Sequence, residues 1–305
     1  MIERIVRGVK EPRKILLYIL NVTARFWPDK LFLKLKFYLI MGQKLDLKNP
    51  RSFNEKLQWL KLNDIHPEYT QMVDKVEVKA YVASIIGEEY IIPTLGIYES
   101  VDDIDFDKLP QQFVLKCTHD SGGVVICKDK TKLDIEREKL KLKKGWGRNY
   151  FKYNREYPYR DVKPRIIAEA YMKDESEYEL KDYKFFCFNG EPRFFKIDFD
   201  RQKNHRANYY NLDMNLQEFG EKDFSPNPSV KFLKPTNFDK MVSIARQLAA
   251  NIPFVRIDLY NVKGEIYFGE ITFFPASGMG QFTLKEWDYK FGEWIKLPKR
   301  DDEYI

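Results

Sequence analysis

The chain reads as an α+β protein of antiparallel hairpins and intervening helices, preceded by a basic helical segment. Three observations lead there. The 305 residues are 44% hydrophobic and 32% charged, the balance of a folded chain long enough for two or three lobes. Three stretches place strand-like residues on both sides of turn residues: 113–126 around Ser121-Gly122-Gly123, 180–197 around Asn189-Gly190, and 255–273 around Asn261 to Gly264. Strand patterns flanking a short turn mark a hairpin. Between the hairpins lie stretches with helical spacing, such as Val78, Tyr81, Val82, Ile85 and Ile86.

Residues 1–48 form the first unit. They carry 11 Lys/Arg against 4 Asp/Glu, and their apolar stretches, 15–20 and 31–40, are broken by those charges and by Pro12 and Pro28. Two or three short helices with apolar faces are expected. Such faces either pack on the main body or form a basic amphipathic surface that touches an anionic membrane.

Residues 49–112 form an α/β region. Ser52 with Glu55 three residues later fits a capping box, and the helix it opens runs through Leu57, Trp59 and Leu60. Val73-Asp74-Lys75 opens the next helix, with the Asp74 charge favourable at its N-terminal end, and Gly87 lies in its C-cap region. Residues 113–172 form a smaller lobe. Lys116 falls at the end of a strand, and Ser121, Gly122 and Gly123 would let backbone N–H groups approach a phosphate closely. The stretch is neither a Walker A loop nor a dinucleotide fingerprint. Residues 128–144 are charged and helical. Residues 150–159 are Tyr-rich and read as a loop or lid, whose aromatics stack on a sugar or base or form a plain hydrophobic cover. Residues 165–172 are a buried strand ending in a connector.

Residues 173–305 form the last lobe. Asn189-Gly190 joins a strand over 180–188 to one over 192–197, and Lys184 alternates onto the face opposite Phe185, where it and Asp182 reach a ligand or solvent. Residues 198–214 are polar; Arg201, Lys203, His205 and Arg206 there grip an acidic acceptor or sit in a solvated loop. Residues 238–250 are a helix leading into the third hairpin.

The formal net charge of +6 suggests an anionic partner without naming it: nucleotide, polysaccharide, membrane surface and nucleic acid all fit. Cys117, Cys127 and Cys187 have no metal-ligand spacing and make no even disulfide set, so reduced, buried thiols of a cytosolic protein are expected. His66, His119 and His205 are too scattered for a zinc site. No cleavable signal pattern, internal repeat or 18-residue uncharged apolar run is seen.

The third hairpin concentrates the chemistry. It would lay Asp258 beside Glu270, and two adjacent carboxylates repel unless a proton or cation sits between them. Mg²⁺ suits such a pair, since it takes hard oxygen ligands and shares them with substrate phosphates. The alternative is an acidic hairpin with its charges in solvent.

The spellings KCTHDSGG (116–123), DYKFFCFNGEP (182–192) and FGEITFFPASG (268–278), in this order, resemble the TupA-like ATP-grasp family, associated with teichuronopeptide and other bacterial surface-polysaccharide synthesis. The resemblance spans about two-thirds of the chain. It implies two α+β lobes gripping ATP, with Lys75, Lys116 and Arg256 around the transferring phosphoryl group and Mg²⁺ on Asp258, Glu270 and Thr272. It implies that Ser121, Gly122 and Gly123 cover the phosphates. The adenine would dock at Glu169, Ala170, Tyr171 and Met172, with Glu169 or a nearby backbone carbonyl accepting from its amino group. Asp182 and Lys184 would reach the nucleotide. Thr272 departs from the Asn common in ATP-grasp enzymes and offers a hydroxyl in its place. The implied reaction joins a uronic-acid-type carboxylate of a saccharide to a small amine, an amino acid or amino alcohol, through an acylphosphate. No nucleic acid is implied, and the setting is cytoplasmic, at most peripheral to the membrane. Two rivals remain. One is a sugar-nucleotide glycosyltransferase, which would need an Asp-x-Asp metal motif near a strand end; Asp103-Ile104-Asp105 and Asp105-Phe106-Asp107 match the spelling but lie in a loop-like acidic run before the Lys116 strand and read as surface charge. The other is a noncatalytic basic scaffold at the membrane.

Overall fold

The computed structural model describes residues 12–120, 122–173, 180–201 and 204–299. Among the described residues the strands form two antiparallel sheets. The first holds β1 (Thr94–Tyr98), β2 (Phe113–Cys117), β3 (Val124–Cys127) and β4 (Ile166–Ala170) in the order β1-β4-β2-β3. The second holds β5 (Asp182–Phe188), β6 (Glu191–Phe199), β7 (Arg206–Asn211), β8 (Phe254–Val262) and β9 (Glu265–Thr272) in the order β7-β6-β5-β8-β9. The hairpins expected around Asn189-Gly190 and Asn261 to Gly264 are β5–β6 and β8–β9. Asn189 and Gly190 both have positive φ, 50° and 84°, as a two-residue turn with the twist of its strands requires.

The helices are α1 (Pro12–Val22), α2 (Asp29–Met41), α3 (Phe53–Asn63), α4 (Glu68–Val73), α5 (Glu77–Ile86), α6 (Ile135–Trp146), α7 (Tyr150–Asn154), α8 (Phe238–Leu248) and α9 (Glu286–Trp294). The Ser52/Glu55 capping box is formed at the start of α3. Asp74 lies between α4 and α5; its carboxylate accepts from the Val76 N–H at 2.8 Å and pairs with Arg165, also at 2.8 Å.

Three apolar clusters hold these elements. Phe113, Leu115, Cys117, Val125, Ile166 and Ala168 project from one face of the first sheet and pack with Leu142 of α6. The main core joins the second sheet to α3, α8 and α9 through aromatics packed edge-to-face or tilted, among them Phe53, Phe186, Phe188, Phe254 and Phe291. Leu33 and Phe37 of α2 are fully buried in that same core. A third cluster joins Leu20, Ala24 and Phe32. The two readings of the N-terminal helices thus divide: α2 packs on the body, while most apolar side chains of α1 do not.

Three segments differ from the sequence reading. The polar stretch 198–214 contains β7: Tyr209 is fully buried, and the buried Asn208 amide donates to the Asn227 and Val230 carbonyls. Polar residues can line a central position when every donor is satisfied. The Tyr-rich stretch 150–159, expected as a loop or lid, forms α7 and a 3₁₀ turn at Tyr157–Tyr159, with Arg155 and Glu156 between them buried. The helix expected over 128–144 starts later, at Ile135, after a short 3₁₀ turn at Lys130–Lys132.

Candidate active site

The two sheets face each other across a cleft of about 380 Å³. The period of two decides what each contributes. Phe113, Leu115 and Cys117 turn to the α6 side of the first sheet, so Val114 and Lys116 turn to the other, beside their partners Glu169, Ile126 and Val124. In the second sheet Lys184 pairs with Asp258, and Asp182 with Tyr260, on one face. The cleft is lined on one side by Val114, Lys116, Val124, Ile126 and Glu169, and on the other by Asp182, Lys184, Asp258, Tyr260 and Glu270. Ala170, Tyr171, Met172 and Leu180 close the apolar end.

Asp258 and Glu270 stand opposite each other on β8 and β9. The ladder then shifts register: Leu259 pairs with Phe268, and Gly269 is the extra residue. Residues 268 and 270 would share a face in a regular strand. The bulge separates them, sending Phe268 into the core and Glu270 to the cleft. A Cβ on Gly269 would stand 2.9 Å from the Asp258 carbonyl oxygen, so only glycine fits there without displacement.

Arg256 grips both oxygens of Asp258, each at 2.7 Å, donates to Thr272 Oγ1 at 3.1 Å and lies 3.9 Å from Glu270. Lys184 Nζ lies 2.9 Å from Asp198, 3.3 Å from Asp182 and 3.8 Å from Asp258. Burial pushes Asp258 up, to about 6, against the pull of Arg256 and Lys184. Burial would also raise Glu270, but Lys75 and Arg256 hold it below the usual carboxylate range. Burial alone would lower Lys184, and Asp182 and the other carboxylates reverse that and raise it.

Lys75 bridges the two halves: its Nζ is 3.5 Å from Glu270 and donates to the Asp120 carbonyl at 3.1 Å. Lys116 is 2.6 Å from one oxygen of Glu169, and Lys79 is 2.5 Å from the other. Burial would raise Glu169, yet the two lysines bring it below its ordinary value. Both carboxylate oxygens are occupied, so of the two acceptors expected for an adenine amino group the backbone carbonyl is the one left free of this pairing.

Not every expected residue lines the cleft. Ser121 lies outside the described residues, as does Lys203. Gly122 and Gly123 are not among the residues that line the cleft. A Cβ on Gly123 would run into Cys117, and one on Gly122 would stand 2.7 Å from Arg148. The loop is clamped on its α6 side by packing, with Arg148 3.2 Å from Asp120. Asp103 and Asp105 lie outside the cleft, accepting from the backbone N–H groups of Ser100 and Asp107, as surface turns do. Lys79, on α5, was not anticipated; Lys75 lies in the turn before that helix, and no spacing signal joins the two.

The donor set suits a hard cation shared with phosphates. Asp258 and Glu270 face each other, and a third carboxylate, Asp182, keeps its buried Oδ1 without a hydrogen-bond partner. Among the described residues no group of three or more His, Cys, Asp or Glu is placed to hold a metal ion by itself. Thr272 Oγ1 is engaged by Arg256.

A family model described as TupA-like ATPgrasp matches residues 55–296. No curated protein matches the chain. Among solved structures, a D-alanine–D-alanine ligase from Bacillus anthracis is 18% identical over 73% of this chain and 65% of its own, with a TM-score of 0.41. D-alanyl-alanine synthetase A from Vibrio cholerae is 11% identical over 77% and 63%, with a TM-score of 0.43. D-cycloserine synthetase is 13% identical over 68% and 64%, with a TM-score of 0.38. The chain spans less than two thirds of the length of each of these proteins.

Proposed function

Because the chain belongs to the TupA-like ATP-grasp family, whose model spans residues 55–296, we propose that it is an ATP-dependent carboxylate–amine ligase. The observation that carries this reading is the cleft itself. Lys75, Lys116 and Lys184 line it together with Asp258 and Glu270, Arg256 is bound to Asp258 and 3.9 Å from Glu270, and Ala170, Tyr171, Met172 and Leu180 give it an apolar part. A polyphosphate needs the charged groups and a purine the apolar part.

Adenine occupies the apolar part, read by backbone groups from Ala170 to Met172. The phosphates run toward Lys116 and Lys184, and the terminal phosphoryl group lies between Lys75 and Arg256. Mg²⁺, held by Asp258 and Glu270, would neutralise charge on that group as it moves. A carboxylate oxygen attacks the γ-phosphorus and the bond to ADP breaks, giving an acylphosphate. The free amine then attacks the acyl carbon, phosphate leaves with the carboxylate oxygen, and the nitrogen loses a proton to solvent. The chain supplies position and charge, and needs no nucleophilic side chain.

For the substrates we propose a uronic-acid-type carboxylate on a surface polysaccharide or its precursor, and an amino acid or amino alcohol as the amine. The test is a panel of uronic acids labelled with ¹⁸O in the carboxylate, offered with pooled amines and Mg·ATP. An acylphosphate route moves one labelled oxygen into the released phosphate. Amide formed with unlabelled phosphate refutes the route, and turnover of a sugar nucleotide without ATP would make the chain a glycosyltransferase.

A further inference from the structure

Ile15, Tyr18, Ile19 and Val22 of α1 follow the i, i+3, i+4, i+7 spacing of a single helix face, a pattern that ordinarily turns inward. Here it turns outward: the four are 40%, 70%, 49% and 57% exposed, while Leu20 on the other side is buried against Ala24 and Phe32. Phe26, just beyond the helix, is 69% exposed, and Leu31 and Tyr38 of α2 add to the uncovered apolar surface. An apolar exposure this concentrated marks a contact surface.

Its charge says what it contacts. Arg13, Lys14, Arg25, Lys30 and Lys34 are all exposed. The Arg25 guanidinium lies 4.5 Å from the Phe26 ring and that of Arg13 lies 5.9 Å from the Tyr38 ring, so basic and apolar groups share one surface. The one acid between residues 12 and 41 is Asp29, and it is taken by Arg155 at 2.7 Å. A second copy of the chain would bring an equally basic face, and the two would repel. A neutral partner gives the bases no role. An anionic lipid surface answers both halves of the patch.

We propose that α1 and the start of α2 dock the protein on an anionic bilayer, with Ile15, Tyr18, Ile19, Val22 and Phe26 at the acyl boundary and the basic groups among the headgroups. The 11 residues of α1 are too few to span, and no described helix is long and apolar enough to cross a membrane, so the contact is interfacial. It stands independently of the chemistry assigned to the cleft, but it is mechanically joined to it. Arg155 donates to the Ala24 carbonyl at 2.6 Å and lies over the Phe32 ring at 4.2 Å. The next residue, Glu156, accepts from the Ser277 hydroxyl, and Lys61 donates to the carbonyls of Asn154 and Ser277 at 3.0 and 2.8 Å. Ser277 lies five residues beyond Thr272, so docking would fix how the cleft is presented to the bilayer.

Deleting residues 1–48 is a poor test, since it also removes Leu33, Phe37, Leu45 and Leu47 from the main core. The test uses the full chain, cosedimented with phosphatidylcholine vesicles with and without phosphatidylglycerol. Binding is expected only with the anionic lipid and should weaken as salt is raised. Arg25→Gln/Lys34→Gln should lower partitioning roughly thirtyfold, and Ile15→Ser/Ile19→Ser by about tenfold or more, both with an unchanged melting temperature. Leu140→Ser, at an even more exposed site on α6, should have no effect. Absence of binding, or equal binding to neutral vesicles, overturns the proposal. So does a lipid-free dimer that Ile15→Ser/Ile19→Ser abolishes, which would assign the face to a second copy.

Discussion

Asp258 and Glu270 face each other across β8 and β9 because Gly269 is bulged out between Glu270 and Phe268. The pair that would hold the cation depends on one residue with no side chain. Gly269→Ala must move the strand away from the Asp258 carbonyl, 2.9 Å from the new Cβ. We expect a loss of ~1–3 kcal/mol in stability, with a fall in Mg·ATP affinity, measured by denaturant unfolding and calorimetry. Unchanged values of both would mean the bulge does not set the geometry.

Lys116 is the cation placed between Glu169 and the open cleft. Lys116→Ala removes one charge-assisted contact to the nucleotide, about 1.5–3 kcal/mol or roughly 10- to 100-fold in affinity. Glu169 keeps Lys79 at 2.5 Å, so folding should suffer less than binding. Calorimetric titration with Mg·ATP checks this, and an unchanged affinity would remove Lys116 from the site.

Asp198 gives a pH prediction. Burial would raise it, but Lys196, Lys184 and Arg201 outweigh burial and depress it far below its ordinary value. A depressed carboxylate contributes stability that is present above its unfolded value, near ~3.9, and lost as pH falls toward the native one. Asp198→Asn should therefore cost about 3 kcal/mol at neutral pH, a gap that narrows below about pH 4. Denaturant unfolding across pH tests it; a gap independent of pH would contradict the assignment.

The three cysteines are buried. Burial pushes Cys117 up to about 11 and raises Cys127 and Cys187. At pH 8 roughly one Cys117 in a thousand would be thiolate. A thiol-specific disulfide reagent should thus find no reactive group in the folded protein and all three after unfolding. Fast labelling of the folded chain at Cys117 would contradict this.

What the sequence revealed follows from which interactions are local. Asn189-Gly190 declares its hairpin because only certain residues take positive φ, and Ser52 with Glu55 declares a helix start because both partners lie within one turn. The ion pairs of the cleft are long-range, so that Glu169 would be shared between Lys79 and Lys116 could not be read from spacing. The bulge at Gly269 hides within a pattern that looks like plain alternation. β7 was invisible because Asn208 and Tyr209 are polar in spelling but buried in fact, with their partners at Asn227, Val230 and Glu221. A Gly-Gly turn has the same spelling whether it faces a phosphate or a packed neighbour, and the contact of Gly123 with Cys117 is known only from the fold.

The central claim is that this cleft drives amide formation with ATP, through a cation held by Asp258 and Glu270. Glu270→Gln keeps the side-chain shape and removes its charge, so the most direct measurement compares wild type and this variant for ADP, phosphate and amide produced from Mg·ATP, a carboxylate and an amine. The account predicts one ADP and one phosphate per amide in the wild type, only when both substrates are present, and a loss of turnover in Glu270→Gln that exceeds its loss of stability. Turnover of a sugar nucleotide without ATP, unaffected by Glu270→Gln, would contradict it.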